Sequence, residues 1–315
     1  MPYPYLIDNI NRRVASDPAA FALECEAIFN RKVTEAAAAI LEQTMAAGSH
    51  VVLLSGPSGS GKTTTAQKIC DALDNIGVHA HTVSLDKYYV TFNPDTAPRT
   101  ENGELDRESP YCLDLDLLNA HFHSLEQGEE VLIPHFDFSI QARDPSMVMP
   151  FKLLRDEIVI FEGIHALNDL LSDEHPKAFK LYISARSDII RGSGMHFKRT
   201  WTRLLRRVVR DELFRGTSVM ETLKMWANVR RGEKLYISPF KYKADILFDS
   251  SMEYEVPVLK HFALRAFSEV PDGTERLDEL RALLPALMEF EEIDSAVVPP
   301  DSILREFIGG GIYTH

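Results

Sequence analysis

Residues 51–69 read VVLLSGPSGSGKTTTAQKI: an apolar run, a glycine-rich turn, then a segment with helical texture. Gly56, Pro57, Ser58, Gly59, Ser60, Gly61, Lys62 and Thr63 fit G-x-x-x-x-G-K-[ST] at every position. Glycines let successive backbone N–H groups turn inward as an anion-binding nest. A helix opening near Gly61 adds its positive end at the same point. On this reading Gly56, Ser58, Gly59, Ser60, Gly61, Lys62, Thr63 and Thr64 hold ATP, with Lys62 at the β- and γ-phosphates and the Thr63 hydroxyl on Mg2+. A chance glycine/serine turn is the competing explanation, and the strand before it and the helix after it argue against that.

Outward from this loop, short apolar runs alternate with amphipathic segments. HVVLLS (50–55), AHTVSLD (80–86), EIVIFEG (157–163), FKLYISA (179–185) and ADILFDS (244–250) each read as a buried strand. Helical stretches at 61–76, 113–127 and 199–214 separate several of them. Nearly continuous apolar strands joined by helices predict an α/β fold with a mostly parallel sheet covered on both faces. The first fifty residues read as a peripheral helical extension, entered through Asp17-Pro18 and stopped at Gly48. Beyond about residue 270 the pattern gives one more helix and then an irregular Pro- and Gly-bearing tail. The expected division is a helical extension over 1–49, a phosphate-loop domain over 50–270 with a lid near 190–217, and a C-terminal helix and tail over 271–315 packing on that domain.

The chain has 315 residues, 45% hydrophobic and 26% charged, as in water-soluble globular proteins. Its net charge of −13 argues against a broad nucleic-acid footprint but not against a local cationic site for a small anion. Cys25, Cys70 and Cys112 lack metal-ligand spacing and are expected reduced, and no run is apolar for long enough to span a bilayer. The start lacks a signal-peptide core, so a cytoplasmic protein with no membrane partner is the expectation. Homo-oligomerisation is left open.

Nucleotide binding alone is not an activity. No guanine-reading N-K-x-D is present, and DNIG (74–77) falls at a helix end, where its D-x-x-G form is coincidental. No coupling module for a mechanical ATPase is visible, which leaves a small-molecule kinase, with a non-catalytic nucleotide-binding regulator as the contrasting class. A kinase needs a group to take the proton of the attacking hydroxyl. Asp86, in SLDKYY, ends the second strand on the same sheet edge as the phosphate loop, where open α/β sheets bind ligands. Glu162 is the other acid on that edge, read as an Mg2+ or orienting carboxylate. RTWTRLLRRVVRDELFRG (199–216) carries six arginines, and Arg203, Arg207 and Arg210 share a helix face. With only Asp211 and Glu212 nearby in sequence, the stripe reads as a lid over phosphates. HFH (121–123) has the wrong spacing for two imidazoles on one helix face, and Trp201 and Trp226 read as packing residues.

Together GPSGSGKTTTA, VSLDKYY, ESPYCLDLDLL, IPHFDFSIQAR, IFEGIHAL, RLLRRVVRDELFRG and YKADILFDS resemble, in order from about 50 to 265, the phosphoribulokinase/uridine kinase family. Within it the chain resembles the kinase half of longer bacterial uridine kinase-like proteins. The resemblance implies a P-loop NTPase-type three-layer sandwich with ATP and Mg2+ as cofactors and a small-molecule acceptor, foremost a nucleoside phosphorylated at its 5′-hydroxyl. It makes Asp86 the base, with Lys62 and Arg210 beside it as catalytic groups. It also places Arg210 and Arg215 on phosphates, and Tyr89, Glu108 and Arg207 on the acceptor. Phe136 and Gln141 stand where uridine-cytidine kinases have Tyr and His, and Thr217 and Met225 replace a contacting Arg and Gln. Phe136, Phe138, Gln141 and Arg143 thus form the expected base wall, altered from a uridine-specific one. A site built to hydrogen-bond a base discriminates through the groups it would leave unpaired. The alternative acceptor is a sugar, polyol or sugar phosphate, for which Arg99, Arg107 and Arg143 are candidate anion ligands.

Overall fold

The computed structural model describes residues 4–192, 194–268, 270–271 and 278–313. Five strands, β1 (Val51–Ser55), β2 (Ala80–Ser84), β3 (Ile158–Glu162), β4 (Phe179–Ser184) and β5 (Ile246–Asp249), form one sheet in the order β5-β4-β1-β3-β2. Every pairing in it is parallel. All five coincide with the apolar runs expected to be strands. Their side chains alternate between two cores. Val52, Leu54, Ile158, Ile160, Leu181 and Ile183 face one, and Val51, Leu53, Val159, Phe161 and Tyr182 face the other. Both faces are covered, so the sequence runs are apolar without interruption.

The helices longer than a single turn are α1 (Ile7–Ser16), α2 (Pro18–Ala47), α3 (Lys62–Asp74), α4 (Leu115–Glu126), α5 (Arg199–Phe214), α6 (Val219–Gly232), α7 (Glu255–Phe267) and α8 (Asp278–Met288). α2, α3, α5 and α7 contribute to the first core, whereas α4 covers the second face through Leu118, Phe122 and Leu125. α2 begins where Asp17 accepts a bond from the Ala20 N–H, with Pro18 in its first turn. It is not peripheral. Phe21, Phe29, Val33 and Ile40 join the sheet's own core, and Phe29 meets Phe248 of β5 edge to face. Among the described residues no helix is long and apolar enough to cross a membrane.

The tail is buried and, apart from the helical turn Arg305–Ile308, irregular in backbone: Ile303, Leu304 and Phe307 are fully enclosed, and Asp301 takes the ammonium of Lys68 on α3. Its Pro and Gly content gives turns, while its spaced apolar residues give a face to bury. The arginines of α5 also find partners that lie far away in sequence. Arg203 forks onto Glu233 at 3.0 and 2.9 Å, and Arg206 donates to Glu255 at 2.6 Å. Arg206 is completely buried and also donates to the carbonyls of Gly59 and Ser250. These two residues anchor α5 to the core, leaving Arg207, Arg210 and Arg215 to the cleft side of the helix.

Removing one partner of a buried pair leaves an uncompensated charge, which costs about 3–5 kcal/mol. Arg206→Met is therefore expected to lower the unfolding free energy by that amount, read as a lower urea midpoint at an unchanged denaturant slope. Adding Glu255→Leu should return part of the loss. Recovery distinguishes an electrostatic penalty from lost packing.

Candidate active site

Parallel register sets the stage. Leu54 of β1 and Ser84 of β2 both pair with Glu162 of β3, so the phosphate loop, Asp86 and Glu162 emerge at the same end of the sheet. The loop leaves β1 and enters α3 at Lys62, with Gly59 and Gly61 at φ of 73° and 80°, the left-handed region that only glycine adopts cheaply. Arg203 and Arg206 hold the outward carbonyls of Ser58 and Gly59, and the Ser60 N–H turns back to the Pro57 carbonyl at 3.2 Å. Arg207 donates to the Ser58 hydroxyl at 3.0 Å. Ser60 is fully buried and its hydroxyl has no hydrogen-bond partner. A cradle of N–H groups, an orphan hydroxyl and the Lys62 ammonium suits a polyphosphate.

Lys62 sits among charges. Burial lowers its pKa, while Glu162, Asp86 and Glu306 pull it up and Arg210 pushes it down. Asp86 is exposed on the cleft. The protein crowded around it still raises its carboxyl above the ordinary range by desolvation, against the opposing fields of Lys62, Arg215 and Arg210. Glu162, 4% exposed, accepts the Thr63 hydroxyl at 3.2 Å and is pushed up to about 7, chiefly by burial. A hydroxyl and a carboxylate are hard oxygen donors of the kind Mg2+ takes.

On the acceptor side Glu108 is also pushed up to about 7 by burial, with Arg207 opposing the shift. Gly232, at the end of α6, lets it approach: a β-carbon there would lie 2.3 Å from Cβ of Glu108. Tyr89, Phe136 and Phe138 form an aromatic corner, with ring centroids 4.9–5.7 Å apart. IPHFDFSIQAR (133–143) is not a buried strand but a short hairpin. Phe136 pairs with Arg143, Asp137 pairs with Ala142, and Gln141 sits at φ 53°. Phe138 is 59% exposed and closes the open side of the corner.

Arg143 was expected to face the acceptor. Instead its three donors go to the carbonyls of Tyr88 and Tyr89 and to Asp114, each at 2.8 Å, so it braces the loop beneath the aromatic corner. Arg99 likewise donates to the carbonyls of Gly103 and Pro94. Arg210 bonds Asp211 and lies 4.0 Å from Glu306, while Arg215 is exposed at the end of α5. His121 takes the Tyr88 hydroxyl and His123 neighbours His175, so the two HFH imidazoles do diverge.

Sequence reasoning missed three residues. Glu306, from the buried tail, accepts the Thr64 hydroxyl at 2.8 Å beside the phosphate loop. Asp106 ties the acceptor loop to Arg231 and Tyr236 at 3.0 and 2.8 Å. Gly232, placed inside a helical pattern, was the one readable signal of a close approach.

Raising Glu162 from 4.5 to about 7 means its ionised form costs the folded protein about 3 kcal/mol, net of its attraction to Lys62. The unfolded chain releases this proton first, so stability falls as pH climbs from the unfolded pKa through the folded one. Glu162→Gln is expected to raise thermal stability near pH 8 and to make no difference near pH 4. Equal gains at both pH values would refute the assignment.

The match to the phosphoribulokinase / uridine kinase family covers residues 51–257. A uridine kinase from Schizosaccharomyces pombe is 32% identical over 264 residues, 81% of this chain and 53% of that protein, so the chain spans about half of that relative's length. A uridine kinase from Halobacterium salinarum is 28% identical over 205 residues, covering 63% of this chain and 79% of its own. Among solved structures, a kinase named for a fructose transport system, from Silicibacter sp. TM1040, superposes with a TM-score of 0.50 at 19% identity. The superposition covers 69% of this chain and 98% of that one, a likeness of fold alone. Strand order, phosphate loop and sequence agree, and the chain belongs to the phosphoribulokinase/uridine kinase family of kinases.

Proposed function

We propose that the protein transfers the γ-phosphate of ATP to the primary 5′-hydroxyl of a nucleoside. The observation that carries this reading is the placement of Asp86 at the sheet edge beside Lys62, with Glu108 and the Tyr89–Phe136–Phe138 corner on its far side. Asp86 accepts the hydroxyl proton as the acceptor oxygen bonds to the γ-phosphorus, and the bond from that phosphorus to the β,γ-bridging oxygen breaks to release ADP. Lys62, Arg210 and Arg215 offset the charge on the transferring group, which for this chemistry supplies most of the rate. Thr63 and Glu162 would hold Mg2+, which when bound neutralises charge on the β- and γ-oxygens. Glu108 and Arg207 grip the acceptor's hydroxyls, Gln141 offers one donor and one acceptor to a base edge, and the cleft side of α5 supplies the cationic wall beside the phosphates.

The aromatic corner favours a nucleoside over the alternative, a polyol or sugar without a base. A flat ring stacks on such a surface, whereas a polyol would leave it unpartnered. S. pombe and H. salinarum relatives named uridine kinase support the same choice.

A panel of nucleosides and polyols with ATP and Mg2+ tests the acceptor. Turnover of nucleosides is expected, and turnover confined to a sugar alcohol would overturn the reading. Asp86→Asn should lower kcat by at least about a hundredfold while leaving ATP affinity in place. Because desolvation raises the Asp86 carboxyl, kcat/KM should fall with decreasing pH at a pKa above the ordinary carboxylate range. An acidic limb near pH 4 would argue against Asp86 as the base. Glu108→Gln should raise the acceptor KM more than it lowers kcat.

A further inference from the structure

At the opposite end of the sheet the chain reads His79-Ala80-His81 as it enters β2. Alternation in an extended segment puts residues two apart on one face, so both imidazoles project together. Their rings lie 4.6 Å apart, edge to face. Glu157 immediately precedes β3, whose Ile158 N–H bonds the His79 carbonyl, so parallel pairing sets the carboxylate beside the two rings. One ligand atom from each of His79, His81 and Glu157 lies within 4.8 Å of the others.

Each side chain is already oriented. Asp74, at the end of α3, takes Nδ1 of His79 at 2.9 Å, which leaves Nε2 as the lone-pair nitrogen. The Leu154 N–H donates to Oε2 of Glu157 at 3.1 Å. His81 is held edge-on against Phe151, with ring centroids 5.2 Å apart. Its Nε2 faces Oε2 of Glu157 at 3.1 Å without hydrogen-bond geometry, so an imidazole nitrogen and a carboxylate oxygen meet at the centre of the cluster. A carboxylate behind one ligating histidine and a backbone donor behind the ligating carboxylate are the outer contacts by which proteins fix metal ligands.

We propose that His79, His81 and Glu157 bind a divalent transition-metal ion of the zinc class. Two imidazoles and one carboxylate suit Zn2+, Co2+ or Ni2+, whereas Mg2+ prefers oxygen ligands throughout. The fourth position falls to water, which reaches the site past the exposed side of His79. The ion would join β2, an edge strand of the sheet, to β3, with Asp74 carrying the link to α3. The 13 residues of α3 separate Asp74 from the phosphate loop by about 20 Å, so this ion is distinct from the nucleotide's Mg2+.

The test uses the full chain, stripped with chelator and kept in excess Mg2+. Calorimetric titration with Zn2+ should show one equivalent bound, and Co2+ should give the intense visible absorption of a four-coordinate site. His81→Ala should abolish that equivalent, and Asp74→Asn should weaken it about tenfold to a hundredfold. His123→Ala is the control, because His123, Glu126 and His175 form the other cluster of ligand-type side chains among the described residues. Zn2+ should raise Tm in the wild type and not in His81→Ala, whose metal-free Tm and kinase activity should match the wild type's. The proposal fails if the wild type binds no Zn2+ under these conditions. It also fails if His81→Ala binds as the wild type does, or if His123→Ala is the variant that loses the ion.

Discussion

A single buried guanidinium ties the catalytic end of this protein together. Arg206 has no solvent exposure, and an unpaired charge there would be prohibitive. Its donors end on Glu255 of α7, the Gly59 carbonyl of the phosphate loop, and Ser250 just beyond β5, while the Phe307 ring of the tail lies 5.2 Å from its centre. Four segments distant in sequence must therefore be in place at once for this charge to be solvated. The result is directional. By occupying the Ser58 and Gly59 carbonyls from behind, Arg203 and Arg206 leave the opposite side of the phosphate loop to an anion. The arginine-rich helix is thus two things: a packed core helix on one face and a cationic wall on the other.

The acceptor side uses the same device on a smaller scale. Arg143 gathers two consecutive carbonyls and Asp114, which fixes the turn carrying Tyr89 and the start of α4 as one unit. Above that brace the hairpin turns through Gln141 in a left-handed conformation, an uncommon place for a non-glycine residue. Its carbonyl bonds the Phe92 N–H and so joins the hairpin to the loop after Tyr89. The corner is therefore held by polar contacts underneath, with Phe136 buried, Tyr89 half-buried and Phe138 exposed where a ligand could meet it.

Legibility from sequence follows the range of the interactions. The five strands were readable because continuous apolar runs report burial on both faces, and the phosphate loop because its glycines are a local backbone requirement. Asp86 and Glu162 were placed correctly on the sheet because strand ends are local too. What could not be read was pairing across distance. Glu233 and Glu255 lie 30 and 49 residues from the arginines they neutralise, so a stripe with two acids nearby looked like a lid over phosphates. Arg143 misled for the same reason, since its partners are backbone carbonyls that leave no trace in the sequence. The contacts of the tail were not readable either, because turn residues mask the spacing of Ile303, Leu304 and Phe307.

The electrostatics of the cleft explain why it needs all of these supports. Asp86, Glu108, Glu162 and Glu306 crowd around one lysine, and desolvation raises the first three above their ordinary range. A site of this kind is poorly suited to receive a triphosphate unless cations outnumber the acids at the moment of binding. The protein supplies Arg207, Arg210 and Arg215 from one helix, with Asp211 positioned between them to limit their mutual repulsion. In the proposed reaction the remaining charge arrives with the nucleotide's metal, held at Thr63 and Glu162. Binding of that cation favours the ionised form of Glu162 and takes up the negative charge that otherwise opposes ionisation of Asp86. Occupancy of the metal site and the readiness of the base are then coupled through the field. An acidic cleft of this kind is best set to accept the acceptor's proton once the metal-bound nucleotide is in place.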